Sequence, residues 1–311
     1  MRDAFFEKLV EVAQLDERII LLSADHGAFA LKKFEEEMTD RYINVGIAEQ
    51  NMVGVAAGLA SSGKVVFVYG ISPFVSLRVL EQLTIDVAAM QLPVNVISVG
   101  GGFTYSTDGP THQGLQDVSA VASIPGMTIL NSSDPVNARA FVDLAVESNR
   151  PNYIRIEKEK LPAFSIPSRK IAVESQKGFS VIQQASNEII FLSTGQLAHT
   201  ALEVAFELEL KYQIKSTVID IFRLKRFPAE GLLPFLQKSS WCFVISELYE
   251  SFFQSEVGGL LSMNCLSTNF VNFSVSEDFY FEGDKRSSIL ANLKLDSASL
   301  VERTLKALNR E

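Results

Sequence analysis

Short runs of β-branched and aromatic residues recur along this chain at intervals that leave room for a helix between them. That rhythm restricts the fold more than any other feature. "RIILLS", "RYINVG", "KVVFVYG", "PVNVISVG", "GMTILN" and "NYIRIE" succeed one another up to residue 157. Between them lie a small, apolar stretch from Ile47 to Ala60, a long helical pattern from about Ser72 to Gln91, and "SDPVNARAFVDLAVESN". The last has Ser133 or Asp134 as its N-cap and Pro135 in the first helical position. Strand–helix alternation demands crossover connections. These are right-handed and yield a parallel sheet with helices on both faces. "KEKLPAFSIPSRKIAVESQKG", residues 158–178, interrupts the rhythm with two prolines and mixed charge. The rhythm resumes in "EIIFLSTG", "KSTVIDIF", "GLLPFLQ", "WCFVISEL" and "FVNFSVS", and closes on a helix capped at Asp296 or Ser297. The expected fold class is therefore α/β: two consecutive parallel or mostly parallel sheet domains. They span 1–160 and 179–311, joined by a linker over 161–178.

Composition narrows the functional classes. With 311 residues, 47% of them hydrophobic, the chain can bury one large core or two ordinary ones. A net charge of -9 argues against nucleic acid as a partner, because a phosphate-binding surface needs a basic excess. The one compact basic group, Arg223, Lys225 and Arg226, reads as a solvated strand end. Cys242 and Cys265 lie in apolar runs and read as buried thiols of a reducing compartment. The first residues form an amphipathic helix bearing Asp3, Glu7 and Glu11, unlike a secretory leader, and no apolar run reaches membrane-spanning length. A soluble cytoplasmic protein is expected.

One carboxylate stands out. Glu49 falls at the start of the apolar stretch "IAEQNMVGVAAGLA". Burying an ionised carboxylate there is costly unless it is paired, metal-bound or protonated. It either caps its own helix, pairs with a neighbour such as Arg41, or performs chemistry. Of the three histidines, His26 follows a strand in "SADHGAF" and His112 follows another in "GGGFTYSTDGPTHQG", where open parallel sheets keep their ligand sites. Asp108, Gly109, Pro110 and Thr111 make a ligand role the better reading for His112. His199 opens a helix and reads as a cap or a surface residue. The glycine-rich loop lacks the lysine and hydroxyl of a phosphate-binding loop. The glycines of "GVAAGLASSG" read as close-packing positions, and Phe74 as a core aromatic.

"YINVGIAEQNMVGVAAGLASSGKVVFVY", "DVAAMQLPVNVISVGGG", "DGPTHQG", "IPGMTILNSSDPVNA" and "RPNYIRIEK" together resemble the transketolase family. The likeness is to the C-terminal half, which in some organisms is a separate small subunit. It implies a thiamine-diphosphate pyrimidine-binding fold followed by a transketolase C-terminal domain. It further implies transfer of a two-carbon ketol unit from a ketose to an aldose. In this family the glutamate matching Glu49 donates a proton to N1′ of the cofactor's aminopyrimidine, which readies the thiazolium carbon for attack on a ketose carbonyl. The resemblance places His112 beside the reacting carbon and Asp108 on a substrate hydroxyl. Phe74, with Tyr69 in reserve, stacks on the pyrimidine, and Asp25 and His26 lie near the substrate channel. Lys158 stands where the family has a phosphate-binding arginine, with Arg155 nearby. A histidine upstream of "DGPTH" is replaced by glycine near Gly100, so an unusual or even nucleotide-linked sugar fits the pattern.

The family holds the cofactor's diphosphate and Mg2+ (or Ca2+) with a Gly-Asp-Gly motif that this sequence lacks. A partner subunit carrying that motif is therefore implied, in an α2β2 heterotetramer. Two alternatives compete with this reading. One is a fold-sharing oxo-acid enzyme, either a 2-oxo acid dehydrogenase β chain or part of a deoxyxylulose phosphate synthase. The other is a non-catalytic scaffold half.

Overall fold

The computed structural model describes residues 1–25, 29–166, 176–281 and 283–309. The expected pair of sheets is present. The first has the order β10-β5-β6-β4-β3-β1-β2, made of β1 (Ile19–Ser23), β2 (Tyr42–Asn44), β3 (Val65–Ile71), β4 (Val94–Val99), β5 (Thr128–Asn131), β6 (Asn152–Ile156) and β10 (Arg223–Lys225). Strands β1 to β6 pair in parallel. The second has the order β12-β11-β8-β9-β7, from β7 (Phe179–Gln184), β8 (Ile189–Ser193), β9 (Thr217–Ile221), β11 (Trp241–Tyr249) and β12 (Asn269–Val275). Only β7 runs antiparallel there, against β9.

Alternation along each strand divides the first sheet's side chains between two apolar layers. Val65, Phe67 and Tyr69 of β3 face the helices Arg2–Ala13 and Pro135–Ser148. Val66 and Val68 face Met52, Val53, Ala56, Ala57 and Ala60 of the helix Glu49–Ser61. That second layer runs on without a break into Ile190, Leu192, Ile219 and Val244 of the other sheet. Strand β10 adds to this union: it departs from the second sheet's chain segment and pairs antiparallel with the edge strand β5. Its Arg223 donates to the carbonyls of Gln176 and Lys177, so this arginine anchors a chain crossing and is more than a solvated end.

Several local expectations change. The span 72–91 is no continuous helix: a 3-10 turn over Ser72–Val75, a short α-helix over Leu80–Gln82 and a π-helical stretch over Leu83–Ala88 replace it. Val75, Val79, Leu83 and Val87 keep a spacing of four that mimics one helix face, and all are buried. The buried Ser76, at φ -128° and ψ -79° with its hydroxyl donating to the Ser72 carbonyl at 2.6 Å, breaks the ladder between the turn and the helix that follows. The helix Glu49–Ser61 packs on one side only, and a Cβ added at Gly54 or Gly58 would meet nothing within 4 Å. Cys242 is buried, but Cys265 is exposed. His199 neither caps nor lies free: its ring stacks on Phe164 at 4.3 Å and its Nε2 meets the Ser133 carbonyl at 2.8 Å, across the two halves.

Candidate active site

The C-terminal ends of the parallel strands deliver the candidate residues, as open α/β sheets do. Strand β2 leads through Gly46, at φ +74°, into the helix that begins with Glu49. Strand β3 leads into the turn carrying Phe74, β4 into the loop carrying Asp108 and His112, and β6 into Lys158. Asp134 is the cap of the neighbouring helix: its carboxylate accepts from Asn137 N at 2.8 Å, and Asn137 answers through its own side chain.

These ends form one contiguous row. Glu49, 3% exposed, accepts a hydrogen bond from Arg78 Nη1 at 2.8 Å. The Arg78 guanidinium lies over the Phe74 ring, 4.2 Å from its centroid. Phe74 meets the His112 ring edge-to-face at 5.0 Å, and His112 meets Tyr105 at 6.5 Å. Lys158 Nζ stands 5.2 Å over the Tyr105 ring. The row runs from a buried carboxylate through aromatic faces and an imidazole to an exposed ammonium. It thus offers a proton donor or acceptor, stacking surfaces and an anion-tolerant end.

The remaining candidates fall around this row. Asp108 ends a 3-10 turn and is exposed. Asp25, at φ +55°, lies at the end of β1, where its backbone N–H donates to Asn44 Oδ1 at 3.0 Å. His26 lies outside the described residues. Tyr69 is a correction: it is 2% exposed and packs on Phe6 with ring centroids 5.3 Å apart, in the layer facing the first helix. Burial pushes its hydroxyl's pKa up. Phe74 is the aromatic in the row. Arg41 is a second correction, since it donates to the carbonyls of Ala13 and Asp16 while Arg78 takes the Glu49 carboxylate. Arg155, on the other phase of its strand from Lys158, is buried and pairs with Asp117 at 2.8 Å.

A buried polar cluster braces the row from beneath. Asp117 Oδ2 accepts from Arg155 Nε and from the Tyr153 hydroxyl, each at 2.8 Å. Arg155 Nη2 donates to the Gly114 carbonyl at 2.8 Å, just past His112. The Tyr153 oxygen, its one proton given to Asp117, also lies 2.8 Å from Ser98 Oγ, which is 2.5 Å from Ser72 Oγ at the base of the Phe74 turn. Burial first, then the Asp117 charge, drives the Tyr153 hydroxyl's pKa well up, so it stays a donor. Gly102 and Gly114 bridge each other, closing the loop that presents His112. On the far side Arg286 donates to Glu247 at 2.9 Å and reaches Glu157 at 3.3 Å. The second half is thereby tied to the loop after β6.

Sequence reasoning missed Arg78 and Tyr105. The only signal for Arg78 is a charge four residues after Phe74 in an otherwise apolar run; Tyr105 carries none beyond its place in the loop. Among the described residues no three His, Cys, Asp or Glu side chains gather to hold a metal ion. Nor is any helix among them long and apolar enough to cross a membrane.

Comparison with known proteins gives a consistent result. The sequence pattern of the transketolase pyrimidine-binding domain matches residues 1–163, and that of the transketolase C-terminal domain matches residues 178–279. A 6-deoxy-6-sulfo-D-fructose transketolase subunit of Clostridium sp. is 34% identical, over 86% of this chain and 81% of its own length. One of the subunits of an apulose-4-phosphate transketolase, from Phocaeicola vulgatus, is 29% identical, over 83% of this chain and 80% of its own. Among solved structures, a split-gene transketolase described as an inactive β4 tetramer superposes with a TM-score of 0.88 at 27% identity. It covers 99% of this chain and 98% of that one.

Proposed function

Because the chain belongs to the transketolase family, we propose that it is the small subunit of a split thiamine-diphosphate-dependent transketolase that moves a two-carbon ketol unit from a ketose to an aldose. In this reading residues 1–160 form the pyrimidine-binding domain and 179–311 the C-terminal domain, with 161–178 between them. The contiguous row from Glu49 to Lys158 carries the reading. It puts a buried carboxyl, an aromatic face and an imidazole side by side at the strand ends.

The residues fit the pyrimidine end of the cofactor. Thiamine diphosphate, when bound, supplies the nucleophilic carbon that takes the ketol unit. Glu49 holds a proton at the ring's N1′, and its buried setting gives that interaction a low local dielectric. Phe74 stacks on the ring. His112, with Nδ1 2.9 Å from Thr111 Oγ1, presents its other nitrogen to the sugar oxygen that gains charge. Asp108 reads a sugar hydroxyl, and Lys158 meets the distal anionic group as a point charge. The residues do not fit the metal and diphosphate end, which falls to a partner chain with the Gly-Asp-Gly motif in a cytoplasmic α2β2 assembly.

Calorimetry with thiamine diphosphate and Mg2+ tests this, on the chain alone and on its mixture with such a partner. Binding only in the mixture, and ketol transfer that Glu49→Gln lowers at least about a hundredfold, is the expected result. Tight binding by the single chain, or full activity of the Glu49→Gln assembly, overturns it.

A further inference from the structure

The two contacts made by Arg78 are the ones the proposed cofactor ring would need. Its Nη1 holds Glu49 Oε2 at 2.8 Å, and its carbon centre lies 4.2 Å from the centroid of Phe74. A guanidinium is flat, delocalised and edged with N–H donors. An aminopyrimidine is also flat, with nitrogen along its edge. Either group satisfies a carboxylate at its rim and an aromatic ring on its face, but one Phe74 face and one Glu49 oxygen cannot serve both. We infer that Arg78 is the native occupant of the pyrimidine seat in the uncombined chain, and that it must swing out before the cofactor ring can enter. This inference rests on the cofactor reading given above.

The two ends of the contact are built differently. Glu49 is held at a helix start with 3% exposure, whereas the Arg78 side chain is 43% exposed. The carboxylate is therefore the fixed partner and the guanidinium the movable one. The preceding backbone is irregular, with Ser76 at φ -128° and ψ -79° between a 3-10 turn and the next helical turn. Arg78 itself is anchored to the Phe74 turn by its N–H, which donates to the Pro73 carbonyl at 3.2 Å. The arrangement covers the buried carboxylate until a better partner arrives, and it scales apparent cofactor affinity down to the fraction of seats left free of arginine.

The test measures the dissociation constant of thiamine diphosphate with Mg2+ on the assembly with a Gly-Asp-Gly partner. Wild type is compared with Arg78→Ala and Arg78→Lys. Arg78→Ala is expected to bind about 1.5- to fivefold more tightly, the range set by the strength of a partly exposed ion pair. Arg78→Lys, which keeps the charge without the flat face, should fall between. A second readout needs no cofactor: 15N signals of arginine side chains in the partner-free chain should show one slowly rotating guanidinium that Glu49→Gln releases. Equal or weaker binding by Arg78→Ala, or a freely rotating Arg78, overturns the inference while leaving the cofactor reading intact. If neither wild type nor variant binds the cofactor, the cofactor reading itself falls, and this inference with it.

Discussion

Replacing Arg286 by methionine tests how the two halves are held together. Arg286 is 8% exposed and meets two carboxylates that are also buried, Glu157 at 4% and Glu247 at 8%. Burial works against its positive charge, and the two glutamates more than offset it, so its pKa is raised. Glu157 follows β6 in the first half, while Glu247 lies in β11 and Arg286 begins the helix Arg286–Asn292 in the second. Methionine keeps the stem but leaves two buried carboxylates without a counter-charge. Breaking a buried pair from one side costs about 3–5 kcal/mol. That corresponds to a fall in melting temperature on the order of 10 °C for a chain of this size. Urea unfolding followed by circular dichroism gives the loss directly. Adding Glu247→Leu and Glu157→Leu should recover most of it, because replacing both carboxylates removes the stranded charges. A loss under about 1 kcal/mol for Arg286→Met, or no recovery in the triple variant, refutes the claim that this cluster is a charge-compensated clamp.

Three further outcomes follow from particular contacts. Gly114→Ala should lower stability by about 1–3 kcal/mol and slow turnover, since a Cβ there would sit 2.5 Å from the Gly100 carbonyl oxygen and displace the His112 loop; unfolding and kinetics read both. Tyr69→Phe should leave cofactor affinity within about twofold while Phe74→Leu weakens it by about 1 kcal/mol, and the reverse order by calorimetry would return Tyr69 to the site. Asp296 accepts from Ser299 N at 3.1 Å as the cap of the last helix; partial burial raises its carboxyl pKa, but the Ser299 bonds win and the net shift is downward. A lowered folded pKa means this contribution is complete above the ordinary value of 3.8 and lost as pH falls through the lower folded value. Asp296→Asn should therefore match wild type near neutrality and flatten the acid limb of stability between about pH 4 and the folded pKa, as measured by pH-dependent unfolding.

The strand rhythm, the Glu49 anomaly and the "DGPTH" loop were legible because each is written in neighbouring residues. The burial of β3 on both faces and the capping pair Asp134–Asn137 are local facts. What escaped is long-range. Arg78 lies 29 residues from Glu49 in sequence, and nothing in the run "FVSLRVL" says which carboxylate it meets. The apolar spacing from Val75 to Val87 reads as one helix, whereas the non-helical backbone at Ser76 separates a 3-10 turn from the α and π pieces that follow. Gly54 and Gly58 resemble packing positions, yet the surface they form is open in the single chain. β10 has three residues, two of them charged, too few to register as a strand apart from the edge that completes it.

That short strand also orders events at the ribosome. The edge of the first sheet at β5 is complete by residue 131, but its partner appears only with Arg223–Lys225. At ordinary elongation speeds of about 5–20 residues per second, some seconds pass in which the nascent first half exposes an unpaired strand edge. An unpaired edge is a template for joining another chain. Truncated products ending between the two strands should therefore be the sticky species in a synthesis time course, and a slow-codon pause in that interval should raise the demand for chaperones.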